Sequence, residues 1–129
     1  ALNRDGDILS DLVLPLFGSI AGSESLLVAF GDDYVPSALM AEAAHGTAPS
    51  LQGKDVANPM AMILAAAALL GHADDDVCQT AGRAIREACL EAVAEGVRTA
   101  DLGGHAGTTE FTDEVIRRTK TKLEVWESL

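Results

Sequence analysis

The sequence predicts a chain of the α/β class, several helices with short strands. Two observations carry this. Residues 60–70, "MAMILAAAALL", are apolar nearly all round and read as a buried helix. Residues 35–44, "VPSALMAEAA", form a short apolar run between Gly31, Asp32 and Pro36 on one side and His45, Gly46 and Pro49 on the other, which suits a buried strand of about five or six residues. At 129 residues the chain has the length of one ordinary domain and can bury a core without disulfide or metal staples.

The elements follow in order. Residues 7–17 read as a helix that Pro15 brings to an end, and "GSIAGSES" as the loop after it. After the strand, residues 46–58, "GTAPSLQGKDVAN", carry Gly, Pro, Ser, Asp and Asn at short intervals with no sustained period, which is the chemistry of a surface loop. It is long for a compact domain, and such loops tend to be functional. Asn58 then serves as N-cap with Pro59 at the first position of the apolar helix. Asp74 to Asp76 open a second long helix that Gly96 closes, with an apolar stripe of Val77, Ala81, Ala84, Ile85, Ala88 and Ala92. "VRTADLGGHAGTTE" is a Gly-rich connector, and a last amphipathic helix starts near Thr112 and covers residues 115–123.

Composition excludes several functions. A net charge of -11 and a pI near 4.4 oppose binding to a phosphate backbone, which clustered Lys and Arg drive. Residues 60–70 have about half the length that a bilayer span needs, so no membrane anchor is expected. No basic segment followed by an apolar run and a cleavage site begins the sequence as read, so no signal peptide is expected. Cys78 and Cys89 share one predicted helix with roughly 16 Å of rise between them, beyond disulfide reach, so reduced thiols and a cytoplasmic location are expected.

Three stretches offer chemistry. In "NRDGDILSDLVLPLFGS", Asp7 and Asp11 are four apart and share one helical face with Cβ atoms about 6 Å apart, so two carboxylates can hold one hard divalent cation or simply form a solvated helix face. An EF-hand is excluded, because the Gly and Glu it needs are replaced by Ile8 and Leu14. His45 beside Gly46 is either a structural loop histidine or a ligand, and Glu42 either a strand-end acid or a cofactor-side carboxylate. "DLGGHAGTTE" reads from its residues as a turn before a helix, with Gly103, Gly104 and Gly107 meeting the backbone geometry; only the resemblance given next adds Asp101 and its neighbours as a flank of the cofactor.

"NRDGDILSDLVLPLFGSIAG", "EAAHGTAPSLQGKDVANPMAMILAAAALL" and "DLGGHAGTTEFTDEVI" resemble, in order and spacing, the C-terminal portion of the isocitrate/isopropylmalate dehydrogenase family of β-decarboxylating oxidoreductases. The resemblance implies an isopropylmalate dehydrogenase-like layered α/β fold of which this is the last third. Residues 1–17 then close the central metal and dimerisation domain, and residues 18–129 form the C-terminal half of the cofactor domain.

By the same resemblance Asp7 and Asp11 bind Mg²⁺ or Mn²⁺, and Asp5 has no assigned role beyond a cap or solvated acid. The adenosine half of NAD is wrapped by His45, Gly46, Thr47, Ala48, Pro49, Ser50 and Leu51, with Asn58 offering its amide to an adenine edge. Ser50, Leu51 and Ala100 stand where NADP-selective members have Lys, Tyr and Tyr, which implies NAD. The activity implied is metal-dependent oxidative decarboxylation of a small 2-hydroxy acid by a homodimer. Thr47 leans toward isocitrate rather than isopropylmalate; homoisocitrate and tartrate enzymes, and a non-catalytic nucleotide-binding subunit, are the alternatives. No catalytic residue is assigned within the chain, since the substrate arginines and the proton-transferring tyrosine and lysine belong to sequence before Ala1 in the family.

Overall fold

The computed structural model describes residues 2–17 and 23–128, the side chains of Asn3, Asp7 and Phe17 excepted. The chain runs as α1 (Asn3–Val13), a 3-10 turn (Leu14–Phe17), β1 (Glu24–Phe30), β2 (Pro36–Ala43), a 3-10 turn (Pro49–Leu51), α2 (Met60–Gly71), α3 (Asp76–Ala94), a 3-10 turn (Ala100–Leu102) and α4 (Thr108–Glu127).

The first helix begins four residues before its expected start, and Pro15 falls in the tighter turn that follows it, where its missing N–H costs little. Ile8, Leu9, Leu12 and Leu16 are all exposed.

The strand at residues 35–44 is present as β2, but the expectation that it is buried is corrected. It pairs antiparallel with β1 in a two-stranded sheet, from Glu24 opposite Ala43 to Phe30 opposite Pro36. Leu39, Ala41 and Ala43 are half-buried while Ala38, Met40 and Glu42 between them are exposed, because α2 covers only one face. The strand β1 went unforeseen: its Glu24 and Ser25 look like loop residues, and Leu26 to Phe30 show no alternation from which a strand could be read. Between the strands, Gly31 N–H donates to the Val35 carbonyl (2.9 Å) and Tyr34 takes a left-handed φ of 60°.

The core lies among α2, α3 and α4, where Met60, Leu64, Ala88, Cys89, Ala92, Phe111 and Val115 form one buried cluster. Small residues let α2 and α3 approach closely: a Cβ on Gly82 would sit 2.6 Å from the Ala67 carbonyl oxygen. Apolar on all sides, α2 was expected to be buried on most of them, yet Met62 and Leu69 are open to solvent. The α3 stripe is buried at Ala84, Ala88 and Ala92, but Val77 at its start is 77% exposed, since it precedes the part of the helix that α2 and α4 cover. Asp75 caps α3 by accepting from Cys78 N–H at 2.8 Å, and Gly96 takes the left-handed φ of 97° that ends it. Both cysteines are free, and burial pushes the Cys89 thiol up to about 12. Ion pairs stitch α3 to α4, Arg118 bridging Glu95 and Glu114, and Lys122 bridging Glu87 and Glu91. No helix among the described residues is long and apolar enough to cross a membrane.

Two predictions follow from this packing. Gly82→Ala would ordinarily gain about 1 kcal/mol of helix propensity, but overpacking against a backbone carbonyl costs about 1–3 kcal/mol or more. We therefore expect a lower urea midpoint for Gly82→Ala and a small rise for Gly6→Ala, whose Cβ would meet nothing within 4 Å. Hydrogen bonds from Arg117, and further from Arg118, hold Glu114 at about 2 instead of its ordinary 4.5. A folded-state pKa below the unfolded one stabilises above the unfolded value and is lost as pH falls through the folded one. Unfolding titrations of wild type should thus lose stability from about pH 4.5 towards 2, and Glu114→Gln should flatten that limb.

Candidate functional site

The two metal candidates sit on α1, whose backbone places positions 7 and 11 one turn apart. Asp11 is exposed, and the side chain of Asp7 lies outside the described residues, so their convergence on one point is not described. Asp5 stands in the first turn beside Arg4 at 3.4 Å, as a solvated acid would. Among the described residues there is no cluster of three or more His, Cys, Asp or Glu able to hold a metal ion.

The loop from His45 to Asn58 does stand at the surface, and with the start of α4 it encloses an open groove of about 1130 Å³. His45, Gly46, Thr47, Ala48, Pro49, Leu51 and Asn58 line it; Ser50 is exposed and does not. The opposite wall includes Asp101, Thr108 and Thr109. Three left-handed residues, Ala48 (φ 41°), Gly53 (φ 72°) and Asp55 (φ 54°), coil the loop through successive turns, with Leu51 N–H donating to the Ala48 carbonyl and Lys54 N–H to the Leu51 carbonyl. A left-handed alanine costs on the order of 1 kcal/mol or more, so the surrounding structure must hold this shape in place.

At one end of the groove His45 Nδ1 lies 2.9 Å from the Gly46 carbonyl oxygen. A carbonyl only accepts, so Nδ1 is the donor of this contact. The other ring nitrogen, Nε2, is buried and has no hydrogen-bond partner among the described residues. At the other end, Asn58 Oδ1 accepts from Met60 N–H (2.9 Å) as a capping side chain would, although α2 begins at Met60 with Pro59 rather than Asn58 in the N-cap place, and Nδ2 donates to Asp101 (2.9 Å). Asp101 also accepts from the hydroxyl of fully buried Thr99 at 2.5 Å. The amide expected to meet adenine is therefore also the strut between the start of α2 and the connector before α4. Glu42 lies on the exposed face of β2 and is not among the groove residues.

Asp55 is among the groove residues that sequence reading missed. Its Oδ1 accepts from Thr109 N–H (2.8 Å) and from the Thr109 hydroxyl (2.7 Å), and these bonds hold its carboxyl below the usual carboxylate range. It thereby caps α4, whose own N-cap, Gly107, has no side chain to do so. That is why the helix starts at Thr108 rather than near Thr112: its cap comes from 54 positions away, where no local pattern announces it. Chemically the groove offers hydroxyls, carboxylates, backbone and one imidazole beside apolar walls, which equips it to bind a ligand.

The sequence profile of the isocitrate/isopropylmalate dehydrogenase family matches residues 1–115. The chain is 40% identical over 119 residues to the human mitochondrial NAD isocitrate dehydrogenase subunit alpha, covering 92% of this chain and 30% of that protein. It is 42% identical over 116 residues to a 3-isopropylmalate dehydrogenase of Novosphingobium aromaticivorans, covering 90% of this chain and 32% of that one. The β-decarboxylating dehydrogenase of Thermococcus kodakarensis superposes with a TM-score of 0.75 at 35% identity, over 98% of this chain and 35% of that one. An isocitrate dehydrogenase of Methylococcus capsulatus gives 0.62 at 37% identity, over 88% and 32%. The chain thus spans about a third of the length of the relatives it matches. With its helices and antiparallel strands it is an α/β segment of that fold, and it belongs to the isocitrate/isopropylmalate dehydrogenase family.

Proposed function

We propose that this chain supplies the adenosine-binding groove and two metal carboxylates to an enzyme that oxidises a small 2-hydroxy acid with NAD and removes its β-carboxylate. The observation that carries the reading is the groove between residues 45–58 and the start of α4, with a buried His45 Nε2 at its edge that has no partner among the described residues. A buried ring nitrogen calls for a hydrogen-bonding partner, and an adenosine offers amino, ring-nitrogen and hydroxyl groups. Gly46, whose Cβ would meet nothing within 4 Å, leaves backbone open to a ligand. Leu51 provides an apolar wall, and Thr47 a hydroxyl.

In this reading Asp7 and Asp11, at helical positions one turn apart, hold Mg²⁺ or Mn²⁺, for which hard carboxylates are suitable donors. Bound there, the cation would act as a Lewis acid on the substrate's oxygens and offset the charge that develops as carbon dioxide leaves. Residues 1–17 then belong to the central domain and residues 18–129 to the cofactor domain of a homodimer. The free thiols agree with a reducing compartment such as the cytoplasm. Isocitrate is the favoured substrate, supported by Thr47 and by the NAD isocitrate dehydrogenase relatives. The 42% identity to a 3-isopropylmalate dehydrogenase favours isopropylmalate as the second reading.

Turnover of both acids by the complete protein, with each dinucleotide, tests this. We expect a higher kcat/KM for NAD than for NADP, because no Lys or Tyr at positions 50, 51 or 100 is present to receive a 2′-phosphate. A preference for NADP would contradict it. Replacing Asp7 and Asp11 together by Asn should weaken Mn²⁺ binding at least about 100-fold, since outer-shell changes alone cost about 10–100-fold. Unchanged Mn²⁺ affinity would remove both residues from the metal site.

A further inference from the structure

Asp55 holds the groove loop in a way its neighbours do not. Its left-handed backbone turns the carboxylate back onto α4, where one oxygen accepts two hydrogen bonds from Thr109, and its own carbonyl accepts from Thr108 N–H at 3.1 Å. Gly107 packs so tightly against it that an added Cβ would come within 2.9 Å of that carbonyl oxygen and overlap the carboxylate. Two residues on, the Ala57 carbonyl accepts from the Thr108 hydroxyl at 2.6 Å. Beside the Asn58–Asp101 strut, one wall of the groove is thereby tied to the other through the Asp55 carboxylate, the Thr108 and Thr109 hydroxyls and the backbone around them. Asp55 itself lines the groove, while its paired oxygen faces the helix start.

We propose that Asp55 is a positioning residue for the dinucleotide: it clasps the loop of residues 45–58 to the start of α4 and so presets the groove in its binding shape. This rests on the groove being a dinucleotide site. A loop already ordered before binding spares the ligand the cost of ordering it, so the clasp strengthens affinity without touching the reacting atoms. The low carboxyl pKa agrees, since the ionised form is the one that accepts both Thr109 bonds.

Two variants separate the clasp from its surroundings. Asp55→Gly keeps the left-handed backbone free of strain and deletes the carboxylate. Asp55→Asn keeps an oxygen that can accept from Thr109, on a residue that tolerates the same backbone. In the complete protein we expect Asp55→Gly to raise KM and Kd for NAD by about tenfold with kcat within about twofold, the signature of lost binding shared by ground and transition states. We expect Asp55→Asn to stay within about threefold of wild type in both, because it restores the accepting oxygen. Wild-type affinity in Asp55→Gly, or an equal loss in both variants, would overturn the clasp. A wild-type protein that binds NAD but shows either result leaves the functional reading standing; one that binds no NAD overturns that reading and this inference with it.

Discussion

The close approach of α2 and α3 governs what the rest of the chain can do. Gly82 lets the helices meet at the Ala67 carbonyl, and the alanines buried along both helices, among them Ala65, Ala84 and Ala88, leave no bulk to push them apart. With α2 so placed, Met60 and Leu64 reach the same cluster as Phe111 and Val115 of α4, so the three helices pack as one unit. The groove inherits its rigidity from that unit. Asn58 stands at the buried end of α2 and Asp55 at the start of α4, and the loop they anchor has no buried apolar side chain of its own.

The helices were legible because their signals are local. Asp75 and Gly96 bracket α3 within one residue of where the sequence puts its ends, and Asn58 with Pro59 marks the entry to α2. The strands were only half legible. Turn residues flank both strands in the sequence, but Glu24 and Ser25 at the start of β1 read as part of the loop before it, and burial of a strand depends on what covers each face, which no single segment encodes. The start of α4 was not legible, because its cap is a side chain from another segment.

The site divides along the same line. Seven of the eight dinucleotide candidates sit in one contiguous run or at its end and line one groove, and a motif shows such a group at once. Asp55 lies inside that run yet could not be singled out, since its role needs Thr109 and Gly107, more than fifty positions away. The partnership of Asn58 with Asp101 is likewise a product of folding: the sequence shows an amide and an acid, and only the packed core brings them to 2.9 Å.

In the function proposed above, residues 45–58 and the start of α4 close around a dinucleotide. Amide hydrogen exchange of the complete protein, with and without saturating NAD, addresses it directly, because an occupied groove shields the backbone that lines it. Slower exchange in residues 45–58 together with Thr108 and Thr109 is the result the account predicts. NAD-dependent protection confined to other segments, with this loop exchanging as before, would contradict it.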